Sequence, residues 1–204
     1  MPEKTMGKRR TLVLGSTSRY RRALLERLDL PFEAAAPDID ETPFHGESPA
    51  AAAVRLAEAK ARAVGARYPD ALVIGSDQVA DLDGAHVGKP ITHERARAQL
   101  RSMSGRCVVF HTAVALLDTR SGRCTGELVD VASTFRKLVD PEIDAYLLRE
   151  RPYDCAGGVK SEQLGIALFE KIASDDPTAL IGLPLIALCR LLRAEGLTIP
   201  ALPS

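Results

Sequence analysis

Tryptophan is absent from this 204-residue chain, and all aromatic residues together make up only 4% of it. An excess of charge is also absent, because Lys plus Arg and Asp plus Glu both number 27. Proteins that hold a nucleic-acid polymer through counterion release need clustered excess Lys and Arg. We therefore expect no such polymer as a partner. A neutral chain still has room for a small basic pocket that binds one anionic ligand.

Paired cysteines and long apolar runs are missing as well. The four cysteines form no C-x-x-C pair, which gives no support to a zinc site or a redox dithiol and suits a reducing cytoplasm. The apolar run after Lys8-Arg9-Arg10 ends at Leu14, too short for the core of a signal peptide. No segment approaches the ~18 apolar residues of a membrane-spanning helix. We predict a cytoplasmic protein without membrane partners.

Two common nucleotide-binding motifs are also lacking, since neither G-x-G-x-x-G nor G-x-x-x-x-G-K-[ST] occurs. The sequence instead alternates strand and helix patterns. Strands are predicted at residues 11–14, 32–36, 71–75, 108–117, 127–135 and 166–172. Helices are predicted at residues 19–28, 49–64, 92–103, 141–149 and 183–194. With a hairpin signal at Asp83-Gly84, this order predicts an α/β fold with a mixed sheet. The strand at 71–75 is expected to end at Ser76-Asp77.

A run of hydroxyl and basic residues joins the first predicted strand to the first helix, from Ser16 to Arg22. Backbone N–H groups at a helix N-terminus bind anions, and hydroxyl groups and guanidinium groups strengthen such a site. Arginines in a first turn oppose the helix dipole, which favours an anion beside them. An ordinary cap at Ser18 followed by a solvated basic face is the alternative interpretation.

Acidic residues stand at two places where a metal ion could bind. Asp77 follows the apolar strand, where a charge is costly to bury without a purpose. Asp38, Asp40 and Glu41 lie in a loop bounded by prolines. Two carboxylates could hold Mg²⁺ through their oxygens, neutralising phosphate and activating water. The loop could equally be a solvated acidic turn.

Basic and imidazole side chains complete the set of candidates. Lys89, in a Gly-Lys-Pro turn near the Asp77 strand, suits a point charge for phosphate. Lys60 lies on an alanine-rich helix, where a lysine is usually a surface residue. The four histidines show no metal-ligand spacing, and we interpret them as surface or satisfied, partly buried residues.

Several motifs in one order make the chain resemble the Maf family of nucleoside triphosphate pyrophosphatases, from about residue 12 to 196. The matching stretches are Leu14-Gly15-Ser16-Thr17-Ser18, Ala35-Ala36-Pro37-Asp38-Ile39-Asp40-Glu41-Thr42, Arg55-Leu56-Ala57-Glu58-Ala59-Lys60-Ala61, Ile74-Gly75-Ser76-Asp77, Leu82-Asp83-Gly84, Gly88-Lys89-Pro90, Thr134-Phe135-Arg136, Cys155-Ala156-Gly157, Val159-Lys160-Ser161-Glu162 and Gly182-Leu183-Pro184-Leu185. Any one of them alone would be a weak signal.

The resemblance implies a two-lobed mixed α/β fold, similar to inosine triphosphate pyrophosphatases, with the active site in the central cleft. It implies cleavage between the α and β phosphates, a divalent cation (Mg²⁺ or Mn²⁺) and a homodimer. It implies Asp77 as the proton acceptor that activates water, with Glu41 joining it in metal handling. The phosphate-binding residues that it implies are Ser16, Arg21, Lys60 and Lys89.

Three positions resemble the branch of the family that hydrolyses 7-methyl-GTP: Tyr20, Gln78 and Glu162. N7-methylated guanine is positively charged, so an aromatic face can stack on it with a cation–π gain of ~0.5–2 kcal/mol. A carboxylate can accept hydrogen bonds from N1–H and the exocyclic amino group, and Gln78 can pair with a remaining polar atom. That branch usually has Pro-Trp where this chain has Arg19-Tyr20.

The domain prediction is a flexible leader (1–10), a single two-lobed pyrophosphatase domain (11–196) and a tail (197–204). The predicted activity is hydrolysis of 7-methyl-GTP to 7-methyl-GMP and pyrophosphate, which removes modified nucleotides from the pool. Two alternatives stay open: a pyrophosphatase for dTTP, UTP or a broad set of nucleotides, and a nucleotide-binding regulator of cell division.

Overall fold

A computed structural model describes residues 10–200, so almost all of the predicted leader and the end of the predicted tail lie outside the described residues. The strands are β1 Thr11–Gly15, β2 Glu33–Ala35, β3 Ala71–Leu82, β4 Ala85–Val87, β5 Cys107–Asp118, β6 Cys124–Phe135 and β7 Phe169–Ala173. The helices are α1 Arg19–Glu26, α2 Pro49–Gly65, α3 His93–Met103, α4 Asp140–Glu150 and α5 Leu185–Ala194. None of the helices described between residues 10 and 200 is long and apolar enough to cross a membrane.

All seven strands form one open sheet in the order β2-β1-β3-β5-β6-β7, with β4 paired to β3. β1 runs parallel to β2 and β3, whereas β3, β5, β6 and β7 pair antiparallel. The predicted α/β class with a mixed sheet and flanking helices is therefore confirmed. The division into two lobes stays a prediction.

The expected end of the third strand is wrong, because β3 continues past Asp77 to Leu82. The register with β1 stops at the pair Leu14–Ile74, but the antiparallel ladder with β5 continues to the pair Asp81–Val109. That ladder satisfies the backbone groups on one side of the strand, so the chain has no reason to turn at Asp77. Asp77 thus lies within a strand, just beyond the end of its parallel neighbour.

The strand predicted at residues 166–172 is also partly wrong, because its first half is a 3₁₀ turn, Leu164–Leu168, and β7 begins at Phe169. Gly165 lies directly on the backbone of Lys160, where an added Cβ would be 2.4 Å from the carbonyl oxygen. This close approach belongs to a folded-back turn and is incompatible with an extended strand. The pattern of apolar residues alone did not distinguish the two.

Helices cover both faces of the sheet. α2 packs on one face, where its alanines meet Val13, Val73 and Ala113. The opposite face carries two apolar clusters, one that joins α1 and α5 to the strands and one that joins α3 and α4. Because side chains alternate along β3, Asp77 points to the side of α2, whereas Ser76 and Gln78 point to the other side.

Gly75 sets the distance between α2 and β3. A Cβ at this position would lie 2.0 Å from the carbonyl oxygen of Ala57 and 2.7 Å from the backbone nitrogen of Ala61.

Replacing Gly75 with Ala should therefore push α2 outward and cost about 2–3 kcal/mol of unfolding free energy. Urea denaturation measures the loss. The Gly88→Ala variant is the matched control, because a Cβ there meets nothing within 4 Å. Equal stability of the two variants would contradict this account of the packing.

Candidate active site

One cavity of about 770 Å³ gathers all nine site residues predicted from the sequence. This volume is within the range of small-molecule sites, ~300–1,000 Å³. The residues are Ser16, Tyr20, Arg21, Glu41, Lys60, Asp77, Gln78, Lys89 and Glu162. They come from distant parts of the chain, so the fold itself brings them together. Their individual roles stay predictions.

The cavity lies where the sheet has an open edge. β3 pairs with β1 up to Ile74 and with β4 from Ala80 onward, both on the edge opposite β5. Between those two pairings, residues 75–79 have no strand partner on that edge within residues 10–200. Side chains from both faces of β3 therefore reach the same space, which explains how Asp77 and Gln78 can line one cavity.

Asp77, Lys60 and Glu41 form a bridged set at the centre. Lys60 Nζ donates to Asp77 Oδ1 at 2.5 Å and lies 2.8 Å from Glu41 Oε1. Lys60 is only 4% exposed and Asp77 only 6%, whereas the Glu41 side chain is 47% exposed. The interpretation of Lys60 as an ordinary surface lysine is therefore wrong, because the close packing of α2 at Gly75 turns it toward Asp77.

Arg21, from the first turn of α1, lies partly buried against this set. Its Nε donates to the carbonyl oxygen of Gly182 at 2.8 Å, and its Nη2 lies 4.0 Å from Asp77 Oδ1. Burial lowers the pKa of Arg21, and the charges of Asp77 and Glu41 oppose that shift. A partly buried guanidinium that has only part of its donors paired suits an anionic ligand. The predicted cap is confirmed, since the Ser18 side chain accepts from the backbone N–H of Arg21.

The pKa of Glu41 is lowered even though burial of the side chain raises it. The hydrogen bond and charge of Lys60, together with the charges of Lys89 and Arg21, outweigh the effect of burial. The Glu41 carboxylate therefore stays ionised at a lower pH than an ordinary glutamate does. Lys89 itself has no hydrogen-bond or ion-pair partner within the described part of the chain, so its amine is available to a ligand.

Gln78 is oriented by the segment that follows β7. Its Nε2 donates to the carbonyl oxygens of Ala179 and Leu180 at 2.9 and 3.0 Å, and also contacts Thr112 Oγ1 at 3.0 Å. These acceptors fix the amide group with its nitrogen turned toward the protein. Its oxygen has no donor among residues 10–200, so Gln78 offers an acceptor to the cavity.

Tyr20 and Glu162 stand on the rim. The Arg19 guanidinium lies over the Tyr20 ring, 4.8 Å from its centroid, and donates to its hydroxyl at 2.7 Å. Burial raises the pKa of Tyr20 to about 12, so the phenol is neutral at physiological pH. Glu162 is exposed and has no hydrogen-bond partner in the described residues, which leaves its carboxylate to the cavity.

Sequence reasoning missed the supporting role of residues 176–187. Asp176 is 2% exposed and accepts hydrogen bonds from the backbone N–H groups of Ile186 and Ala187 at the start of α5. This anchors the 3₁₀ turn Ala179–Ile181 and the carbonyl of Gly182, which accepts from both Arg21 and Ser76. Gly182 has φ 120°, a conformation that favours glycine. The Gly-Leu-Pro motif was the available signal.

A second missed feature is the anchor of the loop that carries Glu41. Arg55 on α2 binds Glu47 through two hydrogen bonds, at 2.6 and 2.7 Å, and stacks on Phe44 at 4.0 Å. His86 Nε2 lies 2.8 Å from the Glu47 carbonyl oxygen. The hydrogen bond from Arg55 is the main reason that the pKa of Glu47 falls to about 2.

Glu47→Gln should loosen this loop. Because the folded-state pKa of Glu47 is depressed from 4.5, its stabilisation is full above pH 4.5 and is lost as the pH falls toward 2. The variant removes that charge at neutral pH, and we expect backbone amides 42–47 to exchange about tenfold faster. Hydrogen–deuterium exchange at pH 7 checks this. Asp144→Asn, which breaks the bidentate pair with Arg97 away from the cavity, should leave these amides unchanged.

Carboxylate oxygens of Glu41 and Asp77 are the candidate metal ligands. Mg²⁺ is commonly held by one or two carboxylates together with substrate phosphates, so this donor set fits the ion. Residues 10–200 contain no group of three or more His, Cys, Asp or Glu side chains placed to hold a metal. His111, for example, is occupied by Asp130 and Asp81, which confirms its interpretation as a satisfied, partly buried residue.

Comparisons with known proteins identify the family of the chain. The family model described as "Maf-like protein" matches residues 11–195. Among curated proteins, the chain is 62% identical to a 7-methyl-GTP pyrophosphatase of Polaromonas sp., over 93% of this chain and 87% of the relative. It is 60% identical to one of Cupriavidus pinatubonensis, over 91% and 93% of the two chains. A third, from Albidiferax ferrireducens, is 56% identical over 93% and 96%.

Proposed function

The chain belongs to the Maf family, and from that premise we propose that it is a nucleoside triphosphate pyrophosphatase that hydrolyses 7-methyl-GTP to 7-methyl-GMP and pyrophosphate. The relatives that carry this name are 56–62% identical over at least 91% of the chain. The observation that carries the proposal is a carboxylate, Asp77, held in a cavity between the buried Lys60 and the partly buried Arg21.

The proposed chemistry is attack of water on the α-phosphorus. Asp77 accepts a proton from the water molecule while the water oxygen forms a bond to the α-phosphorus. At the same time, the bond between the α-phosphorus and the α–β bridging oxygen breaks. The electron pair leaves with pyrophosphate, whose growing charge is stabilised by Arg21, Lys60 and Lys89. Ser16 lies at the start of the turn before α1, where its hydroxyl can contact a phosphate oxygen.

A divalent cation, Mg²⁺ or Mn²⁺, is part of the proposal. Glu41 and Asp77 would hold it, and when bound it neutralises phosphate charge and lowers the pKa of water. Glu41 suits this role because its carboxylate is half-exposed and the Glu47–Arg55 pair anchors the loop that carries it.

The base is proposed to lie among Tyr20, Gln78 and Glu162. The Gln78 oxygen and the Glu162 carboxylate are both acceptors, which matches the N1–H and amino donors of guanine. The positive charge of the N7-methylated ring adds attraction to Glu162 and to the Tyr20 face. Arg19 lies over that face, so it must shift if the base stacks on the same side.

A panel of nucleoside triphosphates with Mg²⁺ or Mn²⁺, assayed for pyrophosphate release, tests the proposal. 7-methyl-GTP should have the highest kcat/KM, followed by GTP, with dTTP and UTP lower. Preference for dTTP or UTP, or a flat ranking, would instead support the alternative house-cleaning pyrophosphatase. Nucleotide binding without pyrophosphate release would support a regulatory role.

A cytoplasmic homodimer is the final element of the proposal. It rests on the resemblance to the family and on the scattered, unpaired cysteines of the described chain. Light scattering of the purified 204-residue chain reports its mass: twice 22.0 kDa supports the dimer, and a single 22.0 kDa species contradicts it.

A further inference from the structure

Lys60 lies where a metal ion would have to bind. Its amine is within 2.5 Å of Asp77 Oδ1 and 2.8 Å of Glu41 Oε1, the two carboxylates proposed as metal ligands. We infer that Lys60 holds this position until a triphosphate arrives, so that the divalent cation enters together with the nucleotide and not before it. This inference rests on the proposed function and concerns the order of binding.

The charge of the site supports this order. Asp77 and Glu41 contribute two negative charges, and Lys60 with the nearby Arg21 contributes two positive charges. The central set is therefore neutral before Lys89 is considered, and Lys89 adds a further positive charge at the cavity. A free divalent cation gains little electrostatic attraction from such a set.

The ligand set points in the same direction. Mg²⁺ keeps most of its water and usually binds through one or two carboxylates plus phosphate oxygens. No third carboxylate, histidine or cysteine joins Glu41 and Asp77 to form a metal-binding group in the described 10–200 segment. The triphosphate is therefore the source of the missing oxygen ligands and of the missing negative charge.

The lysine side chain is suited to the exchange. Lys60 is anchored by its backbone on α2, and its four-carbon stem lets the ammonium group turn toward a new anion without a backbone movement. A bound triphosphate offers such an anion in the same cavity. Lys60 would then have two successive partners, the carboxylates in the nucleotide-free protein and a phosphate in the complex.

Titration of the nucleotide-free protein with MnCl₂, followed by the electron paramagnetic resonance signal of free Mn²⁺, tests the inference. The wild type should bind Mn²⁺ weakly, and Lys60→Met should bind it about tenfold or more tightly because two carboxylates lose their cation. Adding Asp77→Asn to Lys60→Met should return binding to the weak level. Lys60→Arg, which keeps the charge, should bind as weakly as the wild type.

Lys89→Met is the matched control, since it also removes a cavity lysine but one that has no ion pair in the described residues. Its Mn²⁺ affinity should rise no more than about twofold. Tight Mn²⁺ binding by the nucleotide-free wild type, or equal affinities for Lys60→Met and the wild type, would overturn the inference.

A measurement on the wild type alone keeps the test valid if Lys60→Met does not fold. Thermal melting is recorded with Mn²⁺ alone, with a non-hydrolysable α,β-methylene analogue of 7-methyl-GTP alone, and with both. The inference predicts little shift with Mn²⁺ alone and a shift with both that exceeds the sum of the single shifts. A shift of the melting temperature with Mn²⁺ alone that is as large as the shift with both ligands contradicts the inference.

These outcomes are separate from those of the nucleotide panel. A wild type that releases pyrophosphate from 7-methyl-GTP but binds free Mn²⁺ tightly would refute the binding order and keep the proposed function. A protein that cleaves no nucleotide, but binds Mn²⁺ weakly as the wild type and more tightly as Lys60→Met, would support the inferred role of Lys60 and refute the proposed function.

Discussion

Asp77→Asn is expected to lower kcat for pyrophosphate release from 7-methyl-GTP by about 10²–10⁴-fold, the usual contribution of a general base. The amide has the shape of the carboxylate and keeps an oxygen that can accept from Lys60, so the fold should persist. It lacks the charge needed to take a proton from water. Steady-state kinetics with continuous pyrophosphate detection measures the effect, and circular dichroism verifies folding.

Asp81→Asn is the matched control for this prediction. Asp81 is on the same strand, accepts from the backbone N–H of Gly84 and lies 3.3 Å from His111, but it does not line the cavity. This variant loses comparable structural contacts and should keep its kcat within about twofold. Turnover of Asp77→Asn equal to that of Asp81→Asn would remove Asp77 from the mechanism.

Local patterns in the sequence were sufficient to predict most elements. The predicted helix at residues 49–64 matches α2, and apolar runs predicted the central strands. Local patterns also pointed to Asp77, Lys89 and the turn from Ser16 to Arg22. The remaining cavity residues followed from the resemblance to the Maf family. Composition, by contrast, predicted only what kinds of partner to exclude.

Features that depend on distant pairing could not be predicted in this way. Whether β3 stops at Asp77 depends on how far β5 extends beside it, about 35 residues later in the chain. The burial of Lys60 depends on Gly75, whose missing side chain admits α2 to the sheet. The orientation of Gln78 depends on backbone carbonyls near residue 180, which carry no mark in the sequence.

Substrate choice should depend most on Glu162. Charge-assisted hydrogen bonds contribute about 1.5–3 kcal/mol, whereas stacking on a tyrosine at an exposed site contributes about 0.5–1 kcal/mol. A variant of the carboxylate should therefore change the nucleotide ranking more than a variant of Tyr20. The side chain has no partner in the described structure, so its replacement should leave stability unchanged.

Glu162→Gln is accordingly expected to lower kcat/KM for 7-methyl-GTP by about 10–100-fold. The loss for GTP should be smaller, because its base carries no positive charge, and dTTP and UTP should change least. Competition assays with paired nucleotides measure the ratios directly. Glu170→Gln, an exposed glutamate of β7 that does not line the cavity, is the control. An unchanged ranking in Glu162→Gln would favour the broad-specificity alternative, since the carboxylate would then have no part in recognising the base.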